Sequence, residues 1–72
     1  MKLSIKKQVV ELNKQLESLR EYQEELVVKF DSRSEKWQES EKGEEWQEKT
    51  DELDSALDEL ESAINAIDEL ID

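Results

Sequence analysis

Residues 37–46 read Trp37-Gln38-Glu39-Ser40-Glu41-Lys42-Gly43-Glu44-Glu45-Trp46, and this stretch sets where the chain doubles back. Gln38-Glu39-Ser40 is the turn. Ser40 is an N-cap residue, able to accept a hydrogen bond from a backbone N–H of a following helix. Glu41, Glu44 and Glu45 then occupy the first turns, where the helix macrodipole favours negative charge. Gly43 would weaken a helix by about 1 kcal/mol relative to alanine. Its place facing Trp37 beside a tight turn accounts for it, since a side chain there would hold two helices apart.

Working outward, two heptad stripes flank the turn. The first runs Ile5, Val9, Leu12, Leu16, Leu19, Gln23, Leu26, Phe30, Arg33, Trp37, and the second Gly43, Trp46, Thr50, Leu53, Leu57, Leu60, Ile64, Ile67, Ile71. Steps alternating between four and three mark a helix face packed on another helix. Folded antiparallel, the stripes pair so that partner numbers add to 79 or 80, as in Val9–Ile71, Leu16–Ile64 and Leu26–Leu53. The expected fold is all-α: an antiparallel, coiled-coil-like two-helix hairpin. Helix 1 is expected over about 3–38, starting near Leu3 or Ser4 with Ser4 as N-cap, the turn over 38–40, and helix 2 over 41–71. An alternative ends helix 1 at Asp31-Ser32-Arg33-Ser34, with Ser34 capping a short extra helix. At about 1.5 Å per residue the hairpin is roughly 50 Å long.

Composition agrees. The 72 residues include no proline, one glycine and 43% charged side chains, which suits long solvated helices with a narrow apolar seam. A bare two-helix seam buries little surface, so self-association into a homodimeric four-helix bundle is expected. Its docking surface is the charge-free flank of Tyr22, Ala56, Ala63 and Leu70. On the opposite flank Arg20 faces Glu61 and Asn13 faces Asp68. Gln23 is a polar residue within the seam, of the kind that sets register or oligomeric state. Lys2, Lys6 and Lys7 open helix 1, and Asp68, Glu69 and Asp72 close helix 2. Each group opposes its own macrodipole and is offset by the other across the hairpin.

The net charge of −11 is uneven: residues 1–38 carry eight Lys/Arg and seven Asp/Glu, residues 39–72 two and fourteen. Without histidine or cysteine, His-based acid–base chemistry, catalytic triads and thiolate nucleophiles are excluded, and an enzyme is not expected. The carboxylates lack a calcium-loop pattern and read as a solvated face, so no metal or cofactor is expected. Direct nucleic-acid binding is disfavoured by that charge. Mimicry of nucleic acid is the electrostatic alternative, with Asp51, Asp54, Asp58 and Glu61 as the contact face. Fourteen carboxylates over roughly 50 Å give about one per 3.5 Å, against about one per 1.7 Å of duplex axis. No apolar run approaches the roughly 18 residues of a membrane span, and the N-terminus breaks its apolar character too early for a signal peptide. A cytoplasmic protein without membrane contact is expected. At the turn, Arg33, Trp37 and Trp46 form a candidate partner-binding tip, with the Arg33 guanidinium placed to lie over the Trp46 indole.

Phe30, Asp31, Arg33, Ser34, Trp37, Ser40, Gly43 and Trp46 together form a pattern. It resembles one in small, uncharacterised bacteriophage proteins, where Phe-Asp-x-Arg-Ser-x2-Trp precedes Ser, Gly and Tyr or Trp and then an acidic helix. The resemblance covers the middle quarter of the chain. It implies a phage product in the host bacterial cytoplasm, a non-enzymatic protein that binds and inhibits or modulates a host or defence protein. The alternatives are an acidic nucleic-acid mimic blocking a DNA- or RNA-binding protein, and a structural or assembly subunit. No functional residues carry over from the resemblance.

Overall fold

The seam draws two long helices together and a short third one closes the turn. The computed structural model describes residues 2–71, so Asp72 lies outside the described residues. Helix α1 spans Lys6–Asp31, α2 spans Glu35–Gln38, and α3 spans Glu41–Asp68. α1 and α3 pack antiparallel into a rod 57 × 15 × 11 Å. Among the described residues no helix is long and apolar enough to cross a membrane.

The expectation of one helix over 3–38 is corrected at both ends. α1 begins after Ile5, which contributes no side-chain cap, and Ser4 is not the N-cap. Residues before it leave the helix axis: the Leu3 N–H donates to the Leu70 carbonyl at 2.6 Å, and Leu3 pairs with Ile71 in an isolated parallel bridge. That contact closes the open end of the seam. It also explains why α3 stops at Asp68 instead of Ile71, because the last residues turn to meet Leu3.

At its other end α1 stops at Asp31, and the alternative reading holds. Serines compete for backbone partners and favour helix ends over interiors. The Ser32 hydroxyl donates to the Lys29 carbonyl at 2.9 Å, and the Ser34 hydroxyl caps α2 by accepting from the Trp37 N–H at 3.2 Å. The Gln38 amide donates to the Phe30 and Arg33 carbonyls at 2.8 and 3.1 Å, satisfying groups the broken helix releases. The expected turn at 38–40 narrows to Glu39-Ser40, because Gln38 closes α2. Ser40 caps α3, accepting from the Gly43 N–H at 3.3 Å, with Glu41 and Glu44 in the first turn.

Position letters expose an asymmetry. With Val9 and Leu16 at heptad position a, the same row on α3 is Gly43, Thr50, Leu57 and Ile64. Every buried residue of the rod belongs to this a row: Val9, Leu16, Gly43, Thr50, Leu57 and Ile64. No residue of the d row is buried. Leu26, Trp46, Leu53, Leu60 and Ile67 are half-buried, and Leu12 and Leu19 are 37% and 39% exposed. In an antiparallel pair the two a rows share one side of the contact and the two d rows share the other. The helices therefore meet most closely along a, Leu53, Leu60 and Ile67 pack against the edge of that core, and the d side is covered only in part. Arg20 bridges the opposite flank, donating to Glu61 at 2.9 Å, as expected, and to Asp58 at 3.2 Å. Asn13 instead donates to the Val9 carbonyl of its own helix. Ala56 and Ala63, beside the d row, are too short to cover Leu19 or Leu60, which is why the d side stays partly open.

Candidate functional site

The tip is built from the break in α1. Four residues out of line with α1 carry Trp37 across the end of the seam. There its ring meets Phe30 edge-on at 5.9 Å and Trp46 edge-on at 5.7 Å. Such pairs stabilise by about 0.5–1.5 kcal/mol beyond the area they bury. The Trp46 indole N–H donates to the Leu26 carbonyl at 3.0 Å, tying α3 to α1. The Arg33 guanidinium lies over Trp37, 4.2 Å from the ring centroid. This corrects the expected stacking on Trp46: once α1 ends at Asp31, Arg33 belongs to the connection into α2 and faces that helix's own indole.

Gly43 is buried against the turn. A β-carbon there would overlap the carbonyl oxygens of Trp37 and Gln38 and stand 2.7 Å from the Gln38 carbonyl carbon. The close approach expected from its stripe position is present, and the neighbour is turn backbone as well as Trp37.

Beside the aromatic cluster lies an open cleft of about 620 Å³, with Tyr22, Leu26, Trp37 and Trp46 forming its apolar surface. Arg33, Lys42 and Lys49 rim it against one carboxylate, Glu45. Lys42 and Lys49 are the only cations in residues 39–72. Both therefore stand on this cleft, on an otherwise acidic helix. The tip expectation named Arg33, Trp37 and Trp46, and the structure brings all three together. It did not include the lysines, although Lys42, Trp46 and Lys49 stand at i, i+4 and i+7, the spacing of one helix face.

The four residues of the expected acidic face, Asp51, Asp54, Asp58 and Glu61, are all exposed. They are not electrostatically equivalent. Asp58 and Glu61 converge on Arg20, while Asp51 borders a smaller cleft with Phe30 and Trp46. The Asp58 hydrogen bond is the largest cause raising the Arg20 pKa, joined by the charges of Glu61 and Asp58 and opposed by desolvation. A raised arginine pKa contributes stability below the unfolded value, lost only as pH rises through the folded one. That alkaline limit lies far above neutrality, so the guanidinium side of these pairs stays charged throughout the working range. Among the described residues no three carboxylates converge closely enough to hold a metal ion.

The expected oligomer face is solvent-exposed in the hairpin: Tyr22 is 53% and Leu70 49% exposed, with Ala56 and Ala63 also exposed. Tyr22 joins this flank to the tip cleft.

No protein-family model, curated protein or solved structure matches the chain.

Proposed function

We propose that the chain is a non-enzymatic protein-interaction module, a phage accessory protein that binds and inhibits or modulates a host or defence protein in the bacterial cytoplasm. It acts as a dimeric four-helix bundle carrying one tip per hairpin. The observation behind this reading is the tip cleft, where Trp37 and Trp46 are held rigid by mutual stacking beside Arg33, Lys42 and Lys49. Rigid aromatics next to cations are the commonest anchors of protein contacts, because they bring large contact area at little cost in conformational freedom. The phage assignment rests on the resemblance of residues 30–46.

The test is capture from bacterial lysate with the wild-type chain and with Lys42→Glu/Lys49→Glu, at two salt concentrations. Both lysines line the cleft outside the aromatic stack, so the double variant should fold normally, and light scattering should give it the wild-type mass, which is checked because Lys49 also borders the docking side. The expected result is a host protein retained by the wild type and lost with the variant. Retention by both, or by neither, refutes the reading. A partner lost only with Asp51→Asn/Asp54→Asn and with rising salt would point instead to acidic mimicry.

A further inference from the structure

We infer that a second copy of this chain docks on the partly open d side, with the two hairpins running tip to open end. This inference rests on the dimeric reading above and adds to its expected flank the contact of the d row and the orientation of the two copies. Six apolar d-row side chains line that side: Leu12, Leu19 and Leu26 on α1, and Leu53, Leu60 and Ile67 on α3. None is fully buried within one hairpin. The adjoining row is Gln8, Gln15 and Tyr22 on α1, and Ala56, Ala63 and Leu70 on α3. These twelve positions carry no charge, in a chain whose residues are 43% charged. Two molecules of net charge −11 repel wherever their acidic faces meet. This side is where they can approach without setting carboxylate against carboxylate. Ala56 and Ala63 allow helices to come close there.

The exposed area is large enough for such an interface. The chain exposes 5867 Å². A compact monomer of 8.5 kDa exposes about 4,650 Å². The excess of about 1,200 Å² exceeds the roughly 800 Å² that each partner contributes to a standard stable interface. Among the described residues of the hairpin, only Val9, Leu16, Leu57 and Ile64 are buried apolar side chains. A second copy would complete the layer that one copy leaves half-covered.

Charge selects the orientation. Past the apolar stretch, towards the tip, the open side continues into Lys29 and Lys49. Parallel docking would set these cations beside their own copies. Reversed docking keeps them apart and brings them instead to the open end of the other chain, where Lys6 and Lys7 are offset by Asp68 and Glu69. Its two-fold axis passes through the middle of the uncharged stretch, near Ser18 and Leu60. About 21 residues of helical rise separate that axis from Glu39, so the two tips stand about 63 Å apart. Trp37, Lys42 and Arg33 then project past the end of the neighbouring hairpin, leaving two free tips on one bundle.

The chain has no native cysteine, so Glu39→Cys gives one spin label per tip. Light scattering on the full chain and pulsed electron-spin distances form the test, alongside Ala56→Glu/Ala63→Glu. Both alanines are exposed in the hairpin, so circular dichroism should show unchanged helix content. The expected results are a wild-type mass of about 17 kDa, twice the chain mass of 8.5 kDa, and a tip-to-tip distance above about 50 Å. The double variant should have half the wild-type mass. A monomeric wild type overturns the dimer itself. A dimer whose tips lie within about 25 Å overturns the orientation alone. A double variant that stays dimeric overturns the docking face.

Discussion

Replacing Gly43 with alanine sets two rules of helix energetics against each other. Gly43 sits in the first turn of α3, and alanine there should stabilise the helix by about 1 kcal/mol if intrinsic propensity decides. The structure requires the opposite sign. The new methyl would overlap two backbone carbonyl oxygens and lie 2.7 Å from a third backbone atom, whereas real β-carbons essentially never approach closer than 3.0 Å. No flexible side chain can swing away, so the turn itself must retreat. Forcing extra volume into packed surroundings costs about 1–3 kcal/mol. The retreat also loosens the Ser40 cap, whose 3.3 Å bond to the Gly43 N–H is already long and is worth about 1 kcal/mol. With the propensity gain deducted, Gly43→Ala should destabilise by about 1–3 kcal/mol. A domain of this size shifts by about 4–8 °C per kcal/mol, so the melting temperature should fall by roughly 5–20 °C. Thermal melts followed by circular dichroism suffice, at one fixed protein concentration because association shifts the midpoint. A Gly43→Ala variant melting at or above the wild type refutes the close-approach account of the turn.

Thr50 is buried, and its hydroxyl donates to the Trp46 carbonyl of its own helix at 2.8 Å. That carbonyl also accepts the Thr50 backbone N–H, so Thr50→Val strands no partner and should leave stability unchanged or raise it by up to about 1 kcal/mol. Denaturant titration showing a loss of more than about 1 kcal/mol would contradict this. Gln23 is half-buried in the a row between Leu16 and Phe30. Gln23→Leu should add about 1 kcal/mol by burying apolar surface in place of an amide. If the glutamine also selects the oligomer, light scattering of the variant should show mixed masses. Arg20→Met keeps an apolar stem over the seam and removes both ion pairs, which are largely solvent-exposed. Its effect on melting should be small and should vanish at high salt; a salt-independent loss would mean that Arg20 acts by packing.

The hairpin was legible because its evidence is periodic. Leu57 and Ile64 fall on a stripe that only a packed helix face explains, and Ser40 with Gly43 marks where that stripe begins. The break in α1 was less legible. Phe30, Arg33 and Trp37 keep the heptad spacing across Asp31–Ser34, so the pattern reads continuously through a site where the backbone is not continuous. What ends the helix is local: Ser32 and Ser34 bond to nearby backbone, and Gln38 reaches back to Phe30. Heptad spacing records which face a side chain lies on and carries no information about such competition. The position of Leu3 was similarly hidden, since its bond to Leu70 joins residues far apart in the chain. The unequal burial of the a and d rows was also out of reach, because both rows satisfy the same period. Only the rotation of each helix about its axis distinguishes them.

That rotation bears on where function can lie. Most of the residues of the 30–46 pattern, on which the proposed phage origin rests, are already engaged in building the tip. Phe30 and Trp46 stack on Trp37, Arg33 covers that ring, Ser34 and Ser40 cap helices, and Gly43 admits the turn. A pattern spent so fully on architecture would persist in hairpins with different partners, so it identifies the shape and leaves the target open. Partner choice then falls to side chains the architecture does not need. At the tip these are Lys42 and Lys49, which enter neither the aromatic stack nor a cap, Lys49 making one exposed pair with Glu52 at 3.4 Å. Along the rod they are the d-row leucines and the uncharged residues beside them. Related hairpins that keep the 30–46 pattern but bind other targets should accordingly differ at positions 42 and 49 before they differ at 34, 40 or 43.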